Sequence, residues 1–538
     1  MNPRDILRKV KFNPLVYWTK EKGDTEQQDE KKFGLNLLRA NTFIREGKAF
    51  KEDPIEKINT FFDTQFNIVI GNPPWKSGHV DDEIKTWAKE KHWDLKRDVI
   101  KGFLAYAPSI APQATIALIA SAKVLFNTSG TDEKFRFRFF SENKVSVITN
   151  FSVVRHVLFE NAKQAAALII YSPRNKKEIE STECITYCVP KTSSSIKYRN
   201  TITIDASEIK FLPIQEILKT NSKIFKIGMY GSIRDLKFIN KLNRIKSIFE
   251  LTTEKERGIG LKTKGPKDFK NNDNLKNHIY IPSNAIQPYY IPQSSSFKTL
   301  EYNELNRYRY NNHDIFNSPI ILINEGSKKS DLCITCLDYN CIYPNSVYGI
   351  SLKGKNAVYH KALTLCLNSS IAKYYYIAIS SSWGVDRNRV QNNEAISFPA
   401  ITEAFSEETI NKLSLWFDKL KQIISGETNY TKRNQDIKDI KLDIDKLIYE
   451  ELKISNSEQI LIDNILNYSN VIKSNYISAG AEKPVIVNID IQKYSQIFLE
   501  VINKHFKDSS IRLRAEIYTN SSSKDELICV KFIFEKSN

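Results

Sequence analysis

No apolar run in this chain approaches the ~18 residues that a membrane span requires, so a membrane is not among the expected partners. The first residues, MNPRDILRKVKFNPLVYW, carry charge early and lack the apolar stretch of a secretory signal, and the expected location is cytoplasmic. Cysteine is scarce: seven residues, an odd number irregularly spread, which excludes a disulfide framework and fits reduced thiols. No segment repeats at a period of about 20 to 50 residues, so a solenoid or propeller is excluded. Negative charge is in the minority. Lysine and arginine total 79 against 62 acidic residues, a formal charge of +17, which points to a polyanionic partner such as nucleic acid. The remainder is ordinary for a globular protein: 538 residues, 41% hydrophobic and 26% charged. At roughly 100 to 200 residues per domain, such a length suggests three or four domains, each able to bury a core.

Three of the cysteines, Cys333, Cys336 and Cys341, lie close together in SDLCITCLDYNC. A zinc knuckle would need a fourth ligand and a turn between the first pair. The surrounding Ile, Thr and Leu read instead as a strand, where positions three apart face opposite ways. No metal is expected. Cys184 and Cys188, flanking ITY, read the same way.

Short apolar runs separated by helical patterns fill the first part of the chain, the signature of an α/β layer. The runs are LNLLRA, FNIVIGN, ATIALIAS, VSVITNFSVV and AALIIYS, expected to be parallel strands of a Rossmann-like sheet buried on both faces. Between the second and third runs, Ile84, Trp87, Val99, Phe103 and Tyr106 recur at helical spacing. The expected segments are 1–175 for this sheet, 176–245 for a polar connector ending in a helix, and 246–400 for an α+β domain. That domain is rich in Gly, Asn, Pro and Tyr. A charged helical segment, 401–470, and a small α/β piece, 471–538, follow. The last reads strand, helix, strand, strand, from VIVNID onward.

Chemistry concentrates where the apolar run FNIVIGN ends in Asn72-Pro73-Pro74-Trp75. The carboxyl end of a strand is where open α/β sheets place their ligands. The Asn72 side-chain carbonyl and the Pro73 backbone carbonyl offer two acceptors to an exocyclic amino group. Pro73 and Pro74 stiffen the turn. Trp75 adds a flat surface on which an unstacked base can lie.

In this motif the chain resembles the γ-type amino-methyltransferases, the adenine-N6 DNA methylases of restriction-modification and phage-defence systems. The likeness continues, in the family's order, through TIALIASAKVLF, VITNFSVVRHVLFENAKQAAALIIYSP, IYPNSVYGISL, CLNSSIAKYYYIAISSSWGVDRNRV and LDIDKLIYEELKIS. It implies that Asn72 and the Pro73 carbonyl bind the target adenine amino group and that Trp75 stacks on the flipped base. It also implies that Phe159, in HVLFENA, packs against that base, and that S-adenosyl-L-methionine is the cofactor. A base inside a duplex cannot reach a methyl donor, so it is flipped out at a cost of ~a few kcal/mol.

The chain departs from the family in one respect. A Gly-rich strand-to-helix turn for the cofactor is expected before the catalytic motif. Only Gly23, Gly34 and Gly47 precede Gly71, and they form no such turn. GIGLKTKG, at 258–265, lies far beyond and reads as a loop. Asn41 stands where the family often has an acidic residue near the cofactor adenine. A sheet lacking its cofactor half would leave FNIVIGN as an apolar edge, and such edges need cover. The expectation is a partner subunit that carries the Gly-rich motif and completes the cofactor site; truncation of the gene product or degeneration of the fold are the alternatives.

Phosphate and base contacts are expected from Lys262, Lys264, Arg307 and Arg309 and from Arg387 and Arg389 in SSSWGVDRNRV. The resemblance places a target-recognition domain in this region. The long recognition-like region disfavours an RNA or protein amino-methyltransferase, a third reading, and two functions lead. One is a site-specific adenine methyltransferase subunit acting on double-stranded DNA; the other is a non-catalytic DNA-recognition subunit derived from such a methylase.

Overall fold

The computed structural model describes residues 65–538 except 76–77, 79, 128, 159–163, 176–178, 191–200, 203, 205, 262–274, 276–277, 292–313, 329–330, 384, 386–389, 427–429, 470–487, 508, 520–527 and 537–538. The chain is a mixed α/β protein of two compact units. The first comprises residues up to Asn150 together with Ala166–Tyr187 and Pro213–Ser222; the second comprises Phe151–Ala165, Cys188–Leu212 and everything from Lys223. No described helix is long and apolar enough to cross a membrane.

In the first unit the strands are β1 (Ile68–Gly71), β2 (Thr115–Ser121), β3 (Asn143–Asn150), β4 (Ala166–Pro173) and β5 (Cys184–Cys188). They lie in the order β1-β2-β4-β3-β5. β1 pairs with β2 in parallel, but β4 runs antiparallel to both β2 and β3. The sheet is therefore mixed where an all-parallel one was expected. A strand buried on both faces is continuously apolar whichever way it runs, so AALIIY carries no sign of its direction. Burial also departs from expectation at β1, where Ile68 is 64% and Ile70 80% exposed. Nothing among the described residues covers that face.

The helical stretch between β1 and β2 is two helices, α1 (Asp82–Glu90) and α2 (Val99–Ile110). His92 and Lys96, both at positive φ, turn the chain between them. The helical spacing still marks the inward face, since Trp87 of α1 meets Tyr106 of α2 edge-on at 5.1 Å. Tyr171 of β4 donates a hydrogen bond to the Leu104 carbonyl of α2 at 2.9 Å, fixing the helix to the sheet. Before β3, α3 (Gly130–Glu142) begins on a Ser129 cap and buries Phe135, Phe139 and Phe140. Its first-turn Asp132 accepts a hydrogen bond from Lys101 of α2, and both side chains are buried.

The main part of the second unit, from Lys223, begins with α4 (Ile224–Tyr230) and α5 (Ile233–Leu242), the latter started by a Ser232/Asp235 capping box. Its sheet has β6 (Arg257–Ile259), β7 (Ile320–Lys328), β8 (Asp331–Leu337) and β9 (Val347–Ile350), ordered β8-β7-β9-β6 and antiparallel throughout. Gly258 and Ile259, expected in a loop, are thus part of a strand. Gly349 is obligatory here: a Cβ would lie 1.7 Å from the Tyr343 hydroxyl, which is held by the Ile315 carbonyl at 2.8 Å. Cys333 and Cys336 sit on β8 and Cys341 pairs beside Ile279; all three are buried. Burial pushes the Cys336 thiol up to about 12 and the Cys341 thiol higher, so both stay protonated.

Helices complete the unit: α6 (Ala357–Leu367), α7 (Ser370–Ile379), α8 (Glu407–Ser425), α9 (Tyr430–Glu451), α10 (Asn456–Asp463) and α11 (Asn488–His505). The chain ends in the hairpin β10 (Ile511–Thr519) and β11 (Ile528–Lys536). Asn488, Ile489 and Asp490, expected to close the strand VIVNID, are instead the first turn of α11. The apolar positions Ile491, Tyr494, Phe498 and Ile502 recur at helical spacing and extend the helix back over them.

Candidate active site

The site is built on the carboxyl end of β1. Ile68, Val69 and Ile70 are β-branched and favour the extended ladder, which Thr115 extends by donating to the Asn67 carbonyl at 2.9 Å. Gly71 is the strand's last residue and is paired with Leu118 of β2, whose side chain stands close: a Cβ on Gly71 would lie 3.2 Å from the Leu118 Cδ2. Pro73 and Pro74 offer no N–H and stop the ladder. Asn72 is consequently exposed, Pro73 half-buried, Pro74 exposed and Trp75 half-buried.

Trp75 is fixed from beneath. Its Nε1 donates to the Ile119 carbonyl of β2 at 3.0 Å, which ties the turn to the neighbouring strand. The four consecutive residues Asn72 to Trp75 lie at this edge of the sheet. β2 and β3 run parallel to β1, so Ser121 and Asn150, at their last positions, belong to the same edge. Asn150 is fully buried and donates through Nδ2 to the Tyr187 hydroxyl at 2.9 Å. Ser121 is 4% exposed, and its hydroxyl has no partner among the described residues. A buried hydroxyl left unsatisfied is uncommon and asks for a reason. Sequence reasoning missed Ser121; the signal was a polar residue closing the strand IALIAS.

The other expected site residues, Asn41, Phe159, Lys262, Lys264, Arg307, Arg309, Arg387 and Arg389, lie outside the described residues. The roots of the segment that carries Arg387 and Arg389 are described. Arg155 donates to the Val385 carbonyl at 3.0 Å, and the buried Lys226 donates to the Trp383 carbonyl. Glu394 accepts from the Ser380 hydroxyl and from the Ser381 backbone and hydroxyl, each at 2.8 Å. Three buried charges therefore anchor both ends of that segment within the second unit.

The described residues do not by themselves fit S-adenosylmethionine. A sulfonium nucleoside needs a Gly-rich turn entering a helix beside the catalytic strand. In the first unit the described glycines are Gly71, Gly78, Gly102 and Gly130, none of them in such a turn, and no described residue covers the Ile68–Ile70 face of β1.

Comparison with known proteins bears on this edge of the sheet. Residues 9–157 match the model of the Eco57I restriction-modification methylase family, a span that includes β1, β2, β3 and the Asn72–Trp75 turn. This segment is restriction-modification methylase-like. No curated protein matches the chain. Similar solved structures include the type IIL restriction-modification enzyme MmeI in complex with DNA, 10% identical over 76% of this chain and 57% of its own, with a TM-score of 0.43. The type IIG restriction endonuclease BpuSI is 11% identical over 72% of this chain and 54% of its own, TM-score 0.28. The ATP-dependent type ISP enzyme LlaBIII bound to DNA is 10% identical over 71% of this chain and 31% of its own, TM-score 0.37. The chain thus spans little more than half the length of the first two.

Proposed function

We propose that this chain is a subunit of an S-adenosylmethionine-dependent adenine-N6 DNA methyltransferase in a restriction-modification or phage-defence system. It supplies the catalytic motif and DNA recognition, and a second polypeptide carrying the Gly-rich turn completes the cofactor site. The observation that carries this reading is the exposed Asn72 beside a half-buried Pro73 at the strand end, next to a Trp75 pinned to the Ile119 carbonyl. The Asn72 carbonyl and the Pro73 carbonyl accept the two N–H bonds of a flipped adenine amino group, which directs the nitrogen lone pair away from them. Trp75 takes the exposed ring face of the base, replacing the stacking lost from the duplex. Phe159 closes the other side. The net charge of +17 supports binding to the phosphate backbone, with Lys262, Lys264, Arg307, Arg309, Arg387 and Arg389 as its proposed contacts.

The bare face of β1 and the missing Gly-rich turn also favour a second reading. In it the chain has kept the adenine pocket only to sense unmethylated sites. Both readings are tested by expressing the chain alone and with the product of its neighbouring gene, then measuring methyl transfer from labelled S-adenosylmethionine to unmethylated DNA. Transfer that needs both polypeptides and is abolished by Asn72→Ala, with DNA binding intact, is the expected result. DNA binding without transfer under every condition establishes the sensing role. Unchanged transfer by the Asn72→Ala complex removes Asn72 from the mechanism.

A further inference from the structure

Among the described residues, one edge of the C-terminal hairpin is closed and the other is open. Asn503 of α11 closes β10: its Nδ2 donates to the Leu513 carbonyl at 2.9 Å and its Oδ1 accepts from the Leu513 N–H at 2.6 Å. These are the two bonds that an adjoining strand would make, so Leu513 points its backbone groups away from β11. Leu513 stands opposite Phe534, which must then point its own N–H and C=O away from β10, as must Val530, Phe532 and Lys536 by alternation. Among the described residues no strand pairs with that row. Along it the apolar face is thinly covered: Phe532 meets Phe498 of α11 at 4.8 Å and Phe534 meets Phe506 at 5.7 Å, yet Phe534 stays 61% exposed.

We infer that β11 pairs with β11 of a second copy of this chain, antiparallel about a two-fold axis at Ile533, to make a continuous four-stranded sheet. Alternation admits this register, because Phe532 and Phe534 of the two copies then exchange their outward backbone bonds. The same register places Lys531 of each copy opposite Glu535 of the other. Within one copy Lys531 already faces Glu516 and Glu535 faces Arg512. Across the joined sheet the row reads Glu516, Lys531, then Glu535 and Arg512 of the second copy, alternating in sign at every step. Moving the axis by one residue along β11 destroys this match. Lys531 and Glu535 are 59% and 49% exposed, and their ion pairs within one copy, Lys531 with Glu516 at 3.9 Å and Glu535 with Arg514 at 3.3 Å, leave each side chain a solvent-facing side for the contact. An isologous contact repeats each pair twice, so a single reversal acts twice.

The test is sedimentation equilibrium of the full chain and of Lys531→Glu and Glu535→Lys. The full chain is expected to dimerise. Each variant alone sets four like charges along the seam and weakens the dimer by about tenfold. An equimolar mixture of the two variants restores opposite pairs at both contacts and dimerises as the unaltered chain does, which also shows that each variant is folded. A monomeric full chain, variants that dimerise unchanged, or a mixture that stays monomeric would each overturn the proposal.

Discussion

Under the proposed function Trp75 has two separable duties, and one substitution divides them. Phenylalanine keeps a ring for the base but loses the donor to the Ile119 carbonyl, a bond worth about 1 kcal/mol. Trp75→Phe is expected to lower methyl transfer about fivefold in the assembled enzyme with DNA affinity unchanged; equal rates would show that the bond does not set the ring. Ser121 makes the opposite kind of prediction. Removing a hydroxyl that is buried without a partner relieves its desolvation, so Ser121→Ala should leave stability unchanged or raise it by up to about 1 kcal/mol in urea unfolding. A loss of stability would reveal a partner beyond the described residues. Lys226 gives a pH signature. Burial pushes its ammonium down to about 7 from 10.5, with Glu394 opposing the shift. Between those values the unfolded chain holds a proton that the folded chain has released, so stability rises with pH, by at most about 1.4 kcal/mol per unit. Below about pH 7 both states are protonated and this gain is absent. Urea midpoints from pH 7 to 9 should therefore climb more steeply for the natural chain than for Lys226→Met.

At the scale of elements, the pairing of α2 with α3 rests on Lys101 and Asp132. Burial raises the Asp132 carboxyl, but the bonds from Lys101 and Ser129 outweigh it and hold the group below the usual carboxylate range. Its contribution is complete above 3.8 and is lost as pH falls through the lowered folded value. Lys101→Met leaves the buried carboxylate only Ser129 and the more distant Lys96 at 3.8 Å and is expected to cost about 3 kcal/mol, whereas Lys101→Met with Asp132→Leu recovers most of it. Equal losses in the single and double variants would mean that packing, not charge, joins the helices. What could be read from the sequence divides along similar lines. The strand end at Asn72 was legible because an apolar run, Gly71 and two prolines all change the backbone's options at one point. The inward faces of α1 and α2 were legible from spacing, but their break was not, since His92 and Lys96 adopt the left-handed region without a glycine to mark it. Nor was the direction of β4, because pairing sense is decided by long-range contacts that leave no local pattern. Ser121 was marked only as a polar residue closing an apolar strand, and such a serine looks the same whether or not its hydroxyl is satisfied.

For the whole molecule, β1 is the strand that the described residues leave uncovered. A strand reading Ile-Val-Ile-Gly belongs in the middle of a layered fold, yet Ile68 and Ile70 stand 64% and 80% exposed on one face. Leaving two isoleucines in water forgoes roughly 1.5 to 3 kcal/mol each relative to burial, a driving force for whatever covers them. If the second polypeptide of the proposed methyltransferase provides that cover, a charge placed there must block assembly without touching the DNA-binding region. Ile70→Lys is the sharper choice, since its side chain is the more exposed and its substitution disturbs the isolated chain least. The variant should no longer co-purify with the second polypeptide and should lose methyl transfer, while the affinity of the chain alone for DNA, and the fall of that affinity with salt, remain those of the natural sequence. Retained co-purification with retained transfer would show that the bare face of β1 is not where the cofactor half joins.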